Sequence, residues 1–222
     1  MKSLRCRSRL PAILVGGLLA LAGCKDLFVP KLSVTVDAIA APGIGKLNGQ
    51  SFKLVGKRSV VVAQRQVDVA TVAACVKAAL IQQGMFEAPE NVVPDVFIEV
   101  NYGQEAPTRA NLGTRESYLQ LSARANAERA LERTRGPEIW DVRAAMTGLG
   151  GRFEDAMPLL ATMAAGAAGT DTQVSTTKKV PQNSPAVAAV REAANREIIE
   201  KAAATKPAGA APTPAPAAPP TK

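Results

Sequence analysis

Apolar and polar residues alternate along several stretches of this chain. Leu32, Val34, Val36 and Ala38 are separated by Ser33, Thr35 and Asp37, the period-two signature of a half-buried strand. Val96, Ile98, Val100 and Tyr102 alternate in the same way with Phe97, Glu99 and Asn101, and the share of branched and aromatic side chains there suits a strand. Ile139 to Met146 predicts another, with Trp140, Val142, Ala144 and Met146 on one face. After the first of these, Pro42 to Gly49 is dense in turn residues. Asn48-Gly49 suits a tight hairpin turn, so Ser51-Phe52-Lys53-Leu54-Val55 is expected to return beside the first strand.

Helical spacing appears elsewhere. Val69, Val72, Ala73, Val76 and Leu80 fall on one helical face, with Asp68 as a cap, Val67 placed to staple onto Val72, and Gly84 as a stop. Glu154 to Ala165 is helical in composition, and Pro158 marks a kink or a first-turn position because its ring removes a backbone donor. Ser184-Pro185 opens a last helix, along which Val187, Val190, Ala194 and Ile198 share a face. Residues 103–116 are polar and irregular. Beyond them Leu119, Leu121, Ala123 and Ala125 alternate with polar neighbours, whereas Asn126 to Arg135 is rich in helix formers; a longer strand and a short helix both fit. From Thr205 onward the chain holds only Ala, Pro, Thr, Lys and Gly, too little to build a core, and residues 204–222 are predicted to be a disordered tail. The pattern as a whole predicts a single α/β (α+β) domain over residues 32–203, a mainly antiparallel twisted sheet of about four to six strands with helices packed on it.

The N-terminus carries a different pattern. Lys2, Arg5, Arg7 and Arg9 stand without an acid, and Leu10 to Ala22 then gives 13 uncharged, mostly apolar residues before Gly23 and Cys24. Basic, apolar, then small residues is the order of a secretory signal. A membrane-spanning helix is the alternative, but 13 residues reach only about 20 Å, short of the ~30 Å hydrocarbon core. Removing residues 1–23 leaves 23 basic residues against 19 acids, so the net charge falls from +8 to +4. Much of the basicity therefore belongs to the signal, and nucleic acid is not an expected partner.

Candidate chemistry is sparse. The chain has no histidine, which removes Ser-His-Asp and Cys-His mechanisms and the commonest zinc ligand. Cys6 leaves with the signal, and Cys75 reads as a small apolar residue beside a helix seam rather than as a reactive thiol. Glu87, Glu90, Asp95 and Glu99 could in principle form an acid–base pair, but their spacing suits solvated positions. Gly43-Ile44-Gly45-Lys46 lacks the spacing of a phosphate loop, and these glycines, like those of Leu149-Gly150-Gly151, are better explained by turns. Trp140 is expected in the core rather than in a binding site. Arg124, Glu128, Arg129, Glu132, Arg133 and Arg135 read as a solvated mixed-charge face rather than an anion-binding patch. No catalytic residue, metal ion or cofactor is expected.

Leu21-Ala22-Gly23-Cys24 resembles the lipobox of bacterial lipoprotein precursors. The resemblance implies cleavage between Gly23 and Cys24, acylation of Cys24, and a lipidated tether over residues 24–31. It also implies, because Lys25 and not Asp follows the cysteine, an address on the periplasmic face of the outer membrane rather than the inner. The later order of motifs resembles an uncharacterised family of small periplasmic lipoprotein domains of Gram-negative bacteria. Its marks are Ser51-Phe52-Lys53-Leu54-Val55, Pro94 to Val100, Tyr118-Leu119-Gln120-Leu121, Glu138-Ile139-Trp140-Asp141-Val142, Phe153 to Leu160 and Gly169-Thr170-Asp171-Thr172. That resemblance informs fold and address only. The expected function is a non-enzymatic, membrane-anchored lipoprotein that binds another envelope component, a protein or the cell wall, in envelope assembly or maintenance. A carrier of a lipid or other apolar molecule is the alternative.

Overall fold

In the computed structural model, residues 30–44, 47–56, 68–105, 115–132, 135–148 and 152–205 are described. The alternating stretches form long strands: β1 (Lys31–Ala40), β4 (Val96–Glu105), β5 (Glu116–Ala125) and β6 (Glu138–Thr147). Shorter strands are β2 (Ser51–Gly56), β3 (Phe86–Glu87) and β7 (Thr176–Pro181), and the helices are α1 (Val69–Gln82), α2 (Phe153–Ala167) and α3 (Pro185–Thr205). The strands make one seven-stranded sheet in the order β3-β2-β4-β5-β6-β1-β7. It is antiparallel except where β2 pairs parallel with β3 and β4. The α+β class and the mainly antiparallel sheet are as expected, with more strands than the pattern suggested.

The expected hairpin between β1 and β2 does not form. Gln50 N–H does donate to the Leu47 carbonyl (3.1 Å), so a turn exists, but only Gly49 has positive φ, at 84°. That is the geometry of a type II turn, whereas the hairpin turn expected of Asn-Gly needs positive φ at both central residues. Gly49 N–H donates instead to the Gly84 carbonyl (2.8 Å), tying the turn to the end of α1. β2 then enters at the other side of the sheet, with three strands between it and β1. Its place there is fixed by Asp95, whose carboxylate accepts from Ser51 N–H (2.8 Å) and Ser51 Oγ (2.7 Å), while Asp95 N–H donates back to Ser51 Oγ (2.9 Å).

Both predicted helix ends of α1 are present. Asp68 accepts from Ala70 N–H (3.0 Å) and from Thr71 Oγ1 (2.7 Å). At the other end Met85 N–H reaches the Leu80 carbonyl and Gly84 N–H the Ile81 carbonyl, with Gly84 at φ +84°. This is a Schellman close, which needs a residue tolerant of the left-handed region. The buried face is wider than predicted and includes Ala74, Cys75, Ala78 and Ala79, because α1 packs against both α2 and α3. Val69 stands outside it, 64% exposed, and the staple from Val67 lies outside the described residues.

β5 ends at Ala125, and the segment after it is turns rather than helix. Asn126 decides this: its Nδ2 donates to the Pro94 and Ala130 carbonyls (2.8 Å each), and its Oδ1 accepts from Ala130 N–H (2.9 Å). Arg129 takes φ +52° inside this loop. A local side-chain network that satisfies the backbone outcompetes the helix propensity of the neighbouring residues. Of the stretch expected to be irregular, 103–105 extend β4, Glu116 opens β5, and the residues between 105 and 115 lie outside those described. Pro158 sits inside α2, buried, and α3 buries Val187, Val190 and Ala194 as predicted. Trp140, 1% exposed, is core between the sheet and the helices. No helix of the described residues is long and apolar enough to cross a membrane.

Candidate functional site

Strand alternation divides the sheet into two unlike faces. On one, Val34, Val36, Ile98, Leu119, Leu121 and Val142 join the core against the helices. The opposite face receives the residues between them, most of which are polar and only partly buried. Helix α2 contacts β1, β5 and β6 from the core side, and α1 and α3 stack on α2.

Cross-strand register assembles the open face. Arg143 lies opposite Gln120 on one side and Asp37 on the other. Its Nη2 donates to Glu105 Oε1 (2.8 Å) and Glu116 Oε1 (3.0 Å), and its guanidinium carbon lies 4.3 Å above the centre of the Tyr118 ring. Burial weakens the charged form of Arg143, but the hydrogen bonds and charges of Glu105 and Glu116 outweigh it and hold the group above its ordinary value. Beside it, Asp141 accepts from Gln120 Nε2 with both oxygens (3.0 and 2.9 Å) and from Ser122 Oγ. Arg124 pairs with Glu99 (3.7 Å) and Glu138 (3.6 Å).

Towards β7 this face dips into a groove of about 400 Å³. Its lining includes Ser33, Thr35, Asp37, Arg143, Ser175 and Thr177, with Thr35 Oγ1 and Thr177 Oγ1 3.2 Å apart across the β1–β7 pair. A second, smaller groove of about 220 Å³ lies between α1 and α3, lined by Ala70, Ala74, Ile198 and Ala202 among others. The larger groove presents hydroxyls and a braced ion-pair network. Such a surface can hydrogen-bond an extended polar partner.

The structure scatters the other candidates. Cys75 is 2% exposed within α1, and burial pushes its thiol up to about 11, only partly opposed by the charge of Arg191. Glu87 pairs with Lys77 (2.6 Å), Glu90 is exposed in a turn, Asp95 holds Ser51, and Glu99 faces Arg124, so the four carboxylates serve separate places. Gly43, at φ +83°, belongs to a turn closed by Ile44 N–H on the Ala41 carbonyl (3.2 Å). Glu128, Arg129 and Glu132 lie in the turn segment after β5. Among the described residues, no three His, Cys, Asp or Glu side chains come together as a metal site. Gly23, Cys24, Lys46, Arg133, Leu149, Gly150 and Gly151 lie outside the described residues. Sequence reading missed Tyr118, Gln120, Ser122, Asp141 and Arg143 as a group. Alternation placed them on one face of their own strands, and only the strand order brings the two sets side by side.

No family model and no curated protein matches this sequence. Among solved structures the chain is similar to the PelC dodecamer from Paraburkholderia phytofirmans, with 9% identity, 63% of this chain and 99% of that chain covered, and a TM-score of 0.42. A substituted form of the same dodecamer gives 10% identity, coverage of 62% and 98%, and a TM-score of 0.42. A DUF4136 family protein from Bacteroides thetaiotaomicron gives 13% identity, coverage of 60% and 92%, and a TM-score of 0.34. Likeness of this degree carries no inference about partner or activity.

Proposed function

We propose that this chain is an acyl-anchored periplasmic lipoprotein, held to the outer membrane through Cys24, that acts without catalysis by binding another envelope component on its open sheet face. The observation that carries the binding role is the polar face, which no described helix covers. The described helices stack on the core side of the sheet, and the other face keeps a groove lined by Ser33, Thr35, Ser175 and Thr177 beside a braced Arg143. The address rests on the Leu21 to Cys24 motif and Lys25. A cell-wall strand or an envelope protein would supply the extended polar groups such a groove matches. The carrier reading needs room between sheet and helices, and that space is taken by Trp140, Phe52, Leu119, Leu121, Leu159 and Leu160, each at most 1% exposed.

Two measurements test the two halves. Intact mass of the membrane-extracted protein should equal residues 24–222 plus acyl groups, and a Cys24→Ala copy should lack them; an unmodified chain removes the anchor. Separately, a photoreactive side chain placed at Ser33 in the groove should capture one envelope component in intact cells, while the same group at Glu200 on α3 captures background only. Equal patterns from both positions would sink the open-face site.

A further inference from the structure

The edge strand β7 has a charge pattern that the open-face site does not use. Lys178 and Lys179 are both exposed, and by register they lie on opposite faces of the strand, Lys178 across from Val34 and Lys179 across from Ser33. Lys31, also exposed, begins β1 opposite Pro181, a diagonal neighbour of Lys179 at roughly 7–8 Å. Among the described residues none of these three lysines has a carboxylate partner. Elsewhere on the open face the cations are held: Arg124 and Arg143 are each shared between two glutamates, and Lys53 Nζ donates to the Leu131 carbonyl (2.9 Å). Asp37, the acid on β1, stands six residues along the strand from Lys31, about 20 Å away.

This cationic corner is also where the chain enters the domain. Gln182 N–H donates to the Pro30 carbonyl (3.4 Å), so the start of β1 and the end of β7 meet. Between Cys24 and Lys31 the chain can span at most about 25 Å, even fully extended. If Cys24 is acylated, the corner cannot leave the neighbourhood of the lipid headgroups. We infer that the β7 edge, through Lys31, Lys178 and Lys179, is a membrane-facing surface that docks the domain on anionic phospholipid headgroups and leaves the open-face groove reachable from the periplasm. Lysines splayed to both sides of a sheet edge can reach together a membrane plane that the edge meets. Each lysine near an anionic surface adds a modest attraction that salt weakens. The competing explanation is that Lys178, Lys179 and Pro181 merely guard an edge strand against pairing with another chain.

This inference rests on the acyl anchor, and the experiment separates the two. Mature protein extracted from membranes is reconstituted with vesicles of phosphatidylcholine, or of phosphatidylcholine mixed with phosphatidylglycerol, and floated. Failure to float with either vesicle removes the anchor and the docking surface with it. Floated samples are labelled with a water-soluble amine reagent, and each lysine is read by peptide mass spectrometry. In phosphatidylglycerol vesicles, labelling of Lys31, Lys178 and Lys179 should fall to about half or less of its value in phosphatidylcholine, with Lys53 unchanged and the effect lost at high salt. In the K178Q/K179Q variant the protection of Lys31 should be lost, and in K178R/K179R it should persist. Equal labelling of the three lysines in both vesicle types, or protection of Lys31 that survives K178Q/K179Q, would overturn the docking surface and leave the edge-guarding role.

Discussion

Gly84 shows how much one residue decides here. It closes α1 at φ +84°, accepts from Gly49 N–H through its carbonyl, and lies where an added Cβ would run into the Asn48 side chain. Gly84→Ala should therefore destabilise the fold by about 1–3 kcal/mol, chiefly through the left-handed backbone that alanine resists. Chemical denaturation reads this directly, and a midpoint equal to that of the unsubstituted chain would refute it. Cys75 makes the opposite case, a reactive residue type that the fold keeps inert. With its thiol raised to about 11, the thiolate fraction at pH 8 is on the order of one part in a thousand. Alkylation of the Cys75 peptide at that pH should be far slower in the folded protein than in denaturant, and similar rates would show that burial does not protect it. Asn126 belongs with these two. Its side chain binds the Pro94 and Ala130 carbonyls and closes a loop that composition alone had left between strand and helix.

At the scale of elements, β2 is the one most dependent on a single contact. It has six residues, pairs in parallel, and has no hairpin to set its register, so the Ser51–Asp95 exchange does that work. The backbone bond from Ser51, then its hydroxyl, holds the Asp95 carboxyl below its ordinary value of 3.8, against a smaller opposing effect of burial. A carboxyl lowered in the folded state contributes stability that is full above its unfolded value and is lost as pH falls through the folded one. Asp95→Asn should thus weaken the protein at neutral pH and flatten the loss of stability below about pH 4. Denaturant melts across that range decide it, and an acid limb as steep as before would locate the titration elsewhere. β1, β4, β6, α1 and α3 were legible because each carries its own period and, for α1, its own cap and stop. β3 and β7 were not. A two-residue strand has no period to detect, and Thr176 to Pro181 is a mostly exposed edge whose side chains need no apolar alternation.

The molecule as a whole gains its candidate site from strand order, which local sequence does not encode. Alternation states which residues face the core but not which strand lies alongside, so the expected β1–β2 hairpin and the observed β1–β6 and β1–β7 pairs satisfy the same apolar pattern. Thr35 and Thr177, 142 residues apart, meet only because β7 closes the sheet on β1. Their exposure sets up a test that separates recognition from stability. An exposed hydroxyl pair contributes little to folding, and substitutions at such positions usually stay within about 0.5 kcal/mol. The Thr35→Ala/Thr177→Ala variant should therefore melt almost where the unsubstituted protein does, while cross-linking to the envelope partner from a neighbouring groove position, such as Ser33, falls sharply. Removing the core contact instead, as in Leu119→Ala, should cost about 2–5 kcal/mol by leaving a cavity against α2, and any loss of capture would then track the unfolded fraction. If the threonine pair proves costly to stability, or if capture survives its removal, the groove is a by-product of sheet twist and the recognition surface must lie on another part of the domain.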